Sequence, residues 1–369
     1  SFLWITEIKR QRKKLTGDST KSMSSCHLPC RSDAKYKTSF LSIAVSGWEK
    51  RVFAYDKYIC ILRKKTLEFY NRIGSKEGAI EIDITNAEFS AAGRYLAVCE
   101  KNGQKICLIS GKEKMYENNI EGNITQISVN RNGYLSVVIS NTSYKSVVDV
   151  FDRNGKEIFK TNLRTARVVD VSISQDSKYL AIAEVDLSGI IIKSSVQIVS
   201  MDLAQTNPDE AFINKYEATT GKLIMKIKYQ ENNRLICMYN DSIDIFYENE
   251  NKEFVKYDEK KLAFTTINLN NRIVLIEETS SGEYTSDTYL DIVNPNNNKK
   301  KQYITSNVAK ALTTSENKIA INFGTELHIV NTNGILIKRY KSNSEINNVV
   351  MTDNLVAIVY SDNIAIINF

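Results

Sequence analysis

Proline is nearly absent from this chain, three residues in 369, and histidine and tryptophan occur only twice each. With 42% apolar and 25% charged residues, this composition excludes a proline-rich disordered chain and a collagen-like one, and it supplies apolar surface for a large core. Long hydrophobic runs are missing too. No eighteen consecutive apolar residues occur, so no helix within the given sequence is set to cross a bilayer. The two histidines, His27 and His328, are too few for a histidine-based triad or a two-histidine zinc site in the folded region. His328 alternates with Leu327 and Ile329, the pattern of a satisfied strand histidine. A Gly-x-Ser-x-Gly elbow, a phosphate loop and a dinucleotide fingerprint are all lacking. Residues 219–223 imitate the end of a phosphate loop and residues 152–155 the start of a calcium loop, but each lacks its required partners and reads as a turn. Glu277, Glu278, Glu283 and Asp287 crowd one long hairpin, yet glycosidase chemistry needs two carboxylates at a fixed separation. The chain is therefore expected not to be an enzyme, with no catalytic, cofactor-binding or metal-ligating residue assigned and no cofactor.

The net charge of +6 is the small difference between 49 basic and 43 acidic residues. Lys9, Arg10, Arg12, Lys13 and Lys14 lie together near the start, and the remainder is close to neutral, so no nucleic-acid partner is expected. Before that run, residues 1–5 are Ser-Phe-Leu-Trp-Ile, an apolar scrap that suggests the end of a membrane helix or signal segment. Residues 1–35 thus read as a basic polar segment following a missing anchor, and residues 36–369 as one folded domain. Of the six cysteines, Cys26 and Cys30 lack the spacing of a zinc site. Cys60, Cys99, Cys107 and Cys237 sit in β-like apolar runs as small core hydrophobes.

What is present in quantity is repetition. Residues 87–98, 127–137 and 171–182 share one unit: an alternating strand, a turn of Asn, Asp, Ser or Gly, then Tyr-Leu-Ala/Ser and a second strand. Looser copies give a series of apolar anchors after the turn: Ile59, Leu96, Leu135, Leu180, Leu235, Ile273, Ile319 and Leu355. Their mean spacing is about 42 residues, the length of a four-stranded propeller blade. A third and a fourth strand follow each anchor strand, joined by turns such as Asn154-Gly155 and Asn333-Gly334. The spacing predicts an all-β fold, a single β-propeller of eight four-stranded blades, with seven the alternative count. The last copy ends at its third strand, and the β-like run at residues 36–45 is placed to complete that sheet and close the ring. The copy between Leu180 and Leu235 is longer by about a dozen residues, at 186–190 and 202–210. These extra residues read either as a partner-binding insertion or as a solvated excursion.

The Ser-x-Asp/Asn-Gly/Ser-x-Tyr-Leu-Ala unit resembles the WD40-like and quinoprotein-like β-propeller superfamily over about residues 41–369. Within it the chain is most similar to uncharacterised membrane-anchored propeller proteins of Gram-positive bacteria. That resemblance implies a ring outside the cytoplasmic membrane, whereas the basic run after residue 5 argues for a cytoplasmic location. The Gly-His and Trp-Asp signatures of regular WD40 repeats are absent. With Trp4 and Trp48 alone, the tryptophan docking motifs of quinone-dependent propellers are absent too.

Arg63, Lys64, Lys65, Lys101, Lys105, Lys145, Arg164, Arg167 and Lys193 fall in the expected loops between second and third strands and between one blade and the next. These two loop sets share a face in a propeller, so the nine residues form a candidate basic rim for an acidic protein segment or a wall polymer. Glu277 and Glu278 fall on the same face and weaken it. The sequence thus points to a monomeric, membrane-tethered, non-enzymatic binding scaffold that presents a loop face to a protein or anionic polymer. A hydrolase or lyase with carboxylates lining the channel, and a structural sensor domain of a membrane assembly, are the alternatives.

Overall fold

The computed structural model describes residues 38–41, 51–140, 142–247, 250–258, 261–280 and 286–368. Among them, thirty-two strands form eight four-stranded antiparallel sheets. The first four blades, from inner to outer strand, begin with blade I: Arg51–Tyr55, Tyr58–Arg63, Thr66–Tyr70 and Lys76–Glu81. Blade II holds Ala87–Ala92, Tyr95–Glu100, Lys105–Ser110 and Glu113–Asn119, and blade III Asn123–Val129, Leu135–Ser140, Ser146–Phe151 and Glu157–Leu163. Blade IV holds Ala166–Ile173, Tyr179–Asp186, Lys193–Ser200 and Phe212–Glu217. Blade V holds Ile224–Tyr229, Leu235–Tyr239, Ser242–Tyr247 and Glu250–Lys256, and blade VI Leu262–Thr266, Ile273–Ser280, Ser286–Val293 and Lys300–Thr305. Blade VII holds Ala311–Thr314, Lys318–Asn322, Glu326–Asn331 and Leu336–Lys341. Blade VIII takes its first three strands, Asn348–Met351, Leu355–Val359 and Ile364–Asn368, from the end of the chain and its outer strand, Thr38–Leu41, from the start.

That last pairing matches Thr38 with Ile367 and Leu41 with Ile364, antiparallel, as the sequence implied. It covers the edge that the third strand of blade VIII would otherwise expose. The inner strand of blade I also packs on the inner strand of blade VIII. The eight anchors all lie at the start of a second strand and are at most 2% exposed.

A second strand is buried on both faces because each face meets a neighbouring blade, and this explains continuous apolar runs such as Leu355–Val359. Each blade–blade interface holds its own cluster. Cys60, Phe69, Leu96 and Cys107 join blades I and II, and Ile59, Ile61, Ala357 and Ile366 join blades I and VIII. Such clusters occur at all eight interfaces. At about 1.5–3 kcal/mol for each fully buried aliphatic or aromatic side chain, stacking around the ring dominates the fold's stability, because no blade can bury both faces alone.

The third-to-fourth strand turns repeat one local solution. Asp152 Oδ1 accepts from the N–H groups of Asn154 and Lys156 (2.8 and 2.9 Å), and Asn331 Oδ1 accepts from those of Asn333 and Ile335 (2.9 and 3.0 Å). With its carboxylate engaged in this way, Asp152 serves the turn. The long insertion after Leu180 divides into two parts. Residues 202–210 do not form a loose excursion: Met201–Thr206 is a short α-helix capped by the Ser200 hydroxyl. Met201 and Ala204 bury with Phe159 in the interface of blades III and IV. The other part, around residues 186–192, is exposed.

Candidate functional site

The nine residues of the candidate rim all lie in second-to-third loops, in blade-to-blade connections or at the strand ends beside them, on one face of the ring. Four are in ion pairs. Lys65 and Lys105 both reach Asp83, Arg63 meets Glu68 (3.3 Å) and Lys101 meets Glu88 (3.4 Å). Lys64, Lys145, Arg164, Arg167 and Lys193 are exposed and form no ion pair among the described residues. Three of these, Arg164, Arg167 and Lys193, belong to the inter-blade connection and to blade IV. The geometry therefore draws a nine-residue arc in to a basic cluster beside one blade.

Next to that cluster lies a cleft of about 580 Å³ on blade IV. Its floor holds Glu184, buried, which accepts from Ser195 Oγ (2.8 Å) and from Lys215 Nζ (3.3 Å). Its lip is the second-to-third loop, where Leu187, Ile191 and Ile192 are more than half exposed and Ile190 is fully exposed. An aliphatic cluster turned to water beside a polar cleft is unlike the scattered apolar residues of an ordinary surface. Sequence reading marked this segment as extra length. The run Ile190-Ile191-Ile192, too apolar for a solvated loop, was the signal available.

The opposite face is tied together. Asn130 Nδ2 donates to Ser174 O (2.9 Å) and Ser177 Oγ (2.7 Å), linking the first-to-second turns of blades III and IV, and Asn233 Nδ2 donates to Asp176 Oδ2 (2.9 Å), linking IV and V. These turns frame the mouth of the central channel, a cavity of about 480 Å³. The inner strands of blades III, IV and V carry a β-bulge at equivalent places, just before Gln126, Asp170 and Lys226. A bulge re-aims the following side chain, and all three line the channel. Asp170 accepts from Gln126 Nε2 and from the N–H groups of Val171 (3.0 Å) and Ile227 (2.8 Å). Burial nevertheless holds its carboxyl above the usual range.

A channel-carboxylate hydrolase needs two cooperating acids. Among the described residues Asp170 is the buried carboxylate of the channel, and its oxygens are engaged by amides. Glu184 lies on the second strand of blade IV, in the cleft of the other face, and a further set of buried or half-buried ionisable groups occupies one rung of the third strands. Glu68, Asp149, Asp244, Asp291 and His328 each pair with the residue two places after the anchor. Each carboxylate has a lysine partner: Glu68 with Lys76 (2.6 Å), Asp149 with Lys160 (3.4 Å), Asp244 with Lys222 (3.2 Å) and Asp291 with Lys300 (2.5 Å). Distributed one per blade across sheets about 10 Å apart, they cannot meet at one reacting bond. His328 takes the same rung in blade VII, with Nδ1 at 2.9 Å from the Tyr303 hydroxyl and Nε2 at 2.9 Å from Glu326 Oε1. It is fully buried, as its strand pattern implied. Glu278 accepts from the Ala309 N–H (3.1 Å), and Glu283 lies outside the described residues, as do His27, Cys26 and Cys30.

Residues 36–369 match the family described as "Family of unknown function (DUF5711)", and the chain belongs to it. No curated protein matches the sequence. Among solved structures, BamB from Moraxella catarrhalis is 12% identical with a TM-score of 0.50, covering 90% of this chain and 98% of its own. Apo AztD from Citrobacter koseri is 9% identical with a TM-score of 0.50, covering 80% and 87%. The dihydro-heme d1 dehydrogenase NirN, solved in complex with DHE, is 9% identical with a TM-score of 0.55, covering 86% and 70%. Identities this low establish the fold. The chain has the β-propeller fold, and the solved structures that share it include an enzyme.

Proposed function

We propose that this ring is a non-enzymatic binding scaffold, held at a membrane through its N-terminal segment, with the ring on the extracytoplasmic side. It presents the face of second-to-third loops to a protein partner. The observation that carries the reading is the exposed aliphatic loop at residues 187–192, set between the blade IV cleft and the unpaired cations Arg164, Arg167 and Lys193. Burying Ile190 and Ile191 against a partner contributes about 1.5–3 kcal/mol each. The flanking cations favour an acidic segment and speed encounter. A protein suits this surface better than a wall polymer does, since a polyanion gains little from aliphatic side chains, and four of the nine rim cations are already paired. The membrane part rests on the apolar residues 1–5, which lie outside the described residues, and the extracytoplasmic side rests on the resemblance to membrane-anchored propellers, against the basic run that follows residue 5.

A photo-crosslinking residue placed at Ile190 in cells tests the face directly. One discrete adduct is expected, lost when Ile191 is changed to Asp, with no adduct from the same residue placed at Asn154 on the opposite face. Equal labelling from both positions, or none from Ile190, refutes the reading.

A further inference from the structure

At one rung of the inner strands, five blades carry a hydroxyl. Ser90, Ser128, Ser172, Thr266 and Thr313 each pair with the residue that follows the anchor. Three of these hydroxyls tie one inner strand to the next. Ser90 Oγ accepts from the Val129 N–H (3.0 Å), Ser172 Oγ accepts from the Tyr229 N–H (2.9 Å), and Thr313 Oγ1 donates to Val349 O (3.0 Å). The remaining three blades carry Phe53, Lys228 and Met351 at this rung, so blade V is the one that turns a charged side chain there. An ammonium cannot accept a backbone N–H.

Lys228 and Lys226 both line the channel cavity. Neither has a hydrogen bond or ion pair among the described residues. The other charged groups around them are already engaged. Asp170 is held by amides, and Arg131 Nη2 is paired with Glu316 Oε1 at 2.9 Å across the mouth. Burial, together with the neighbouring Lys226 ammonium, pushes the Lys228 amine below its ordinary value. Asp170 offsets part of their charge, but two amines facing one buried carboxylate leave an excess of positive charge that is costly unless something neutralises it. A cavity of about 480 Å³ is the size of a small-molecule site, and hydroxyls such as Ser128 and Ser172 line it as well.

We propose that the channel beside blade V binds a small molecule bearing a phosphate or carboxylate oxyanion, held between Lys226 and Lys228. The site is separate from the loop face and stands or falls independently of it. The test is calorimetric titration of the full chain in chloride buffer with pyrophosphate and, separately, with citrate. Saturable single-site binding of at least one probe is expected, weakened tenfold or more in Lys228→Met and in Lys226→Met and unchanged in Lys252→Met on the outer edge of the same blade. The stronger probe identifies the oxyanion class. Reductive methylation of the wild-type chain, read by mass spectrometry, avoids substitution altogether, and saturating pyrophosphate or citrate, whichever binds, is expected to protect Lys228. Failure of both probes to bind at millimolar concentration, wild-type affinity in the double variant, or unprotected Lys228 overturns the proposal.

Discussion

Arg131 and Glu316 form an ion pair at 2.9 Å between the first-to-second turns of blades III and VII, and these blades stand opposite each other in an eight-bladed ring. The pair therefore spans the channel mouth. Both side chains are well exposed, so their contribution to stability is small, about 0–1 kcal/mol. Replacing both by alanine is expected to leave the unfolding midpoint almost unchanged. A double-mutant cycle in denaturant checks this, and a coupling well above about 1 kcal/mol contradicts it.

Gly334 has φ 76°, and a Cβ built on it would sit 2.8 Å from the backbone oxygen of Gln302 in the neighbouring blade. Gly111 has φ 62° with nothing within 4 Å. Gly334→Ala is expected to cost about 2–3 kcal/mol and Gly111→Ala about 1. Equal losses for the two variants in chemical denaturation mean that the close approach between blades VI and VII does not constrain the turn.

Burial and the Glu157 carboxylate push Asp149 up to about 7, against the pull of Lys160, and its Oδ1 has no hydrogen-bond partner. A raised carboxyl favours the folded state fully below its unfolded value near 4, and that contribution is lost as pH rises through about 7. Asp149→Asn remains neutral, so the variant should match the wild type near pH 4 and exceed it by about 1 kcal/mol at pH 8. Unfolding curves at the two pH values decide the matter, and a variant less stable at pH 8 refutes the assignment.

Cys107 belongs to the interface of blades I and II and Cys99 to that of blades II and III, so the two thiols face opposite sides of one hairpin. Burial pushes both up to about 12, and it carries Cys60 and Cys237 well above the ordinary thiol value. In a chain with Cys26 and Cys30 replaced by serine, a thiol-specific colour reagent at pH 8 is expected to find no fast-reacting group before unfolding and four after it. A native-state burst shows that one of the interfaces opens.

Removal of residues 1–41 deletes the outer strand of blade VIII and bares the edge of Ile364–Asn368. Such a chain is expected to unfold at lower temperature and to self-associate as concentration rises, whereas removal of residues 1–35 leaves both properties unchanged. Identical melting and sedimentation for the two truncations shows that the closing strand adds nothing.

Strand, turn and blade count were legible in the sequence because each is encoded locally. Alternation of period two marks a strand, Asn or Asp before a glycine marks a turn, and a buried anchor recurs about every 42 residues. The closing strand was legible as well, since a last copy lacking its fourth strand must find one. What the tertiary structure alone decided are the meetings between blades: Arg131 with Glu316, Lys65 and Lys105 on the shared Asp83, the third-strand rung of paired carboxylates, and the unpaired Lys226 and Lys228 in the channel. Blade-to-blade spacing and the curvature of the ring set those distances. No stretch of chain within a single repeat carries that information, because a lysine that alternates correctly in its strand looks the same whether it faces solvent or the axis of a closed circle.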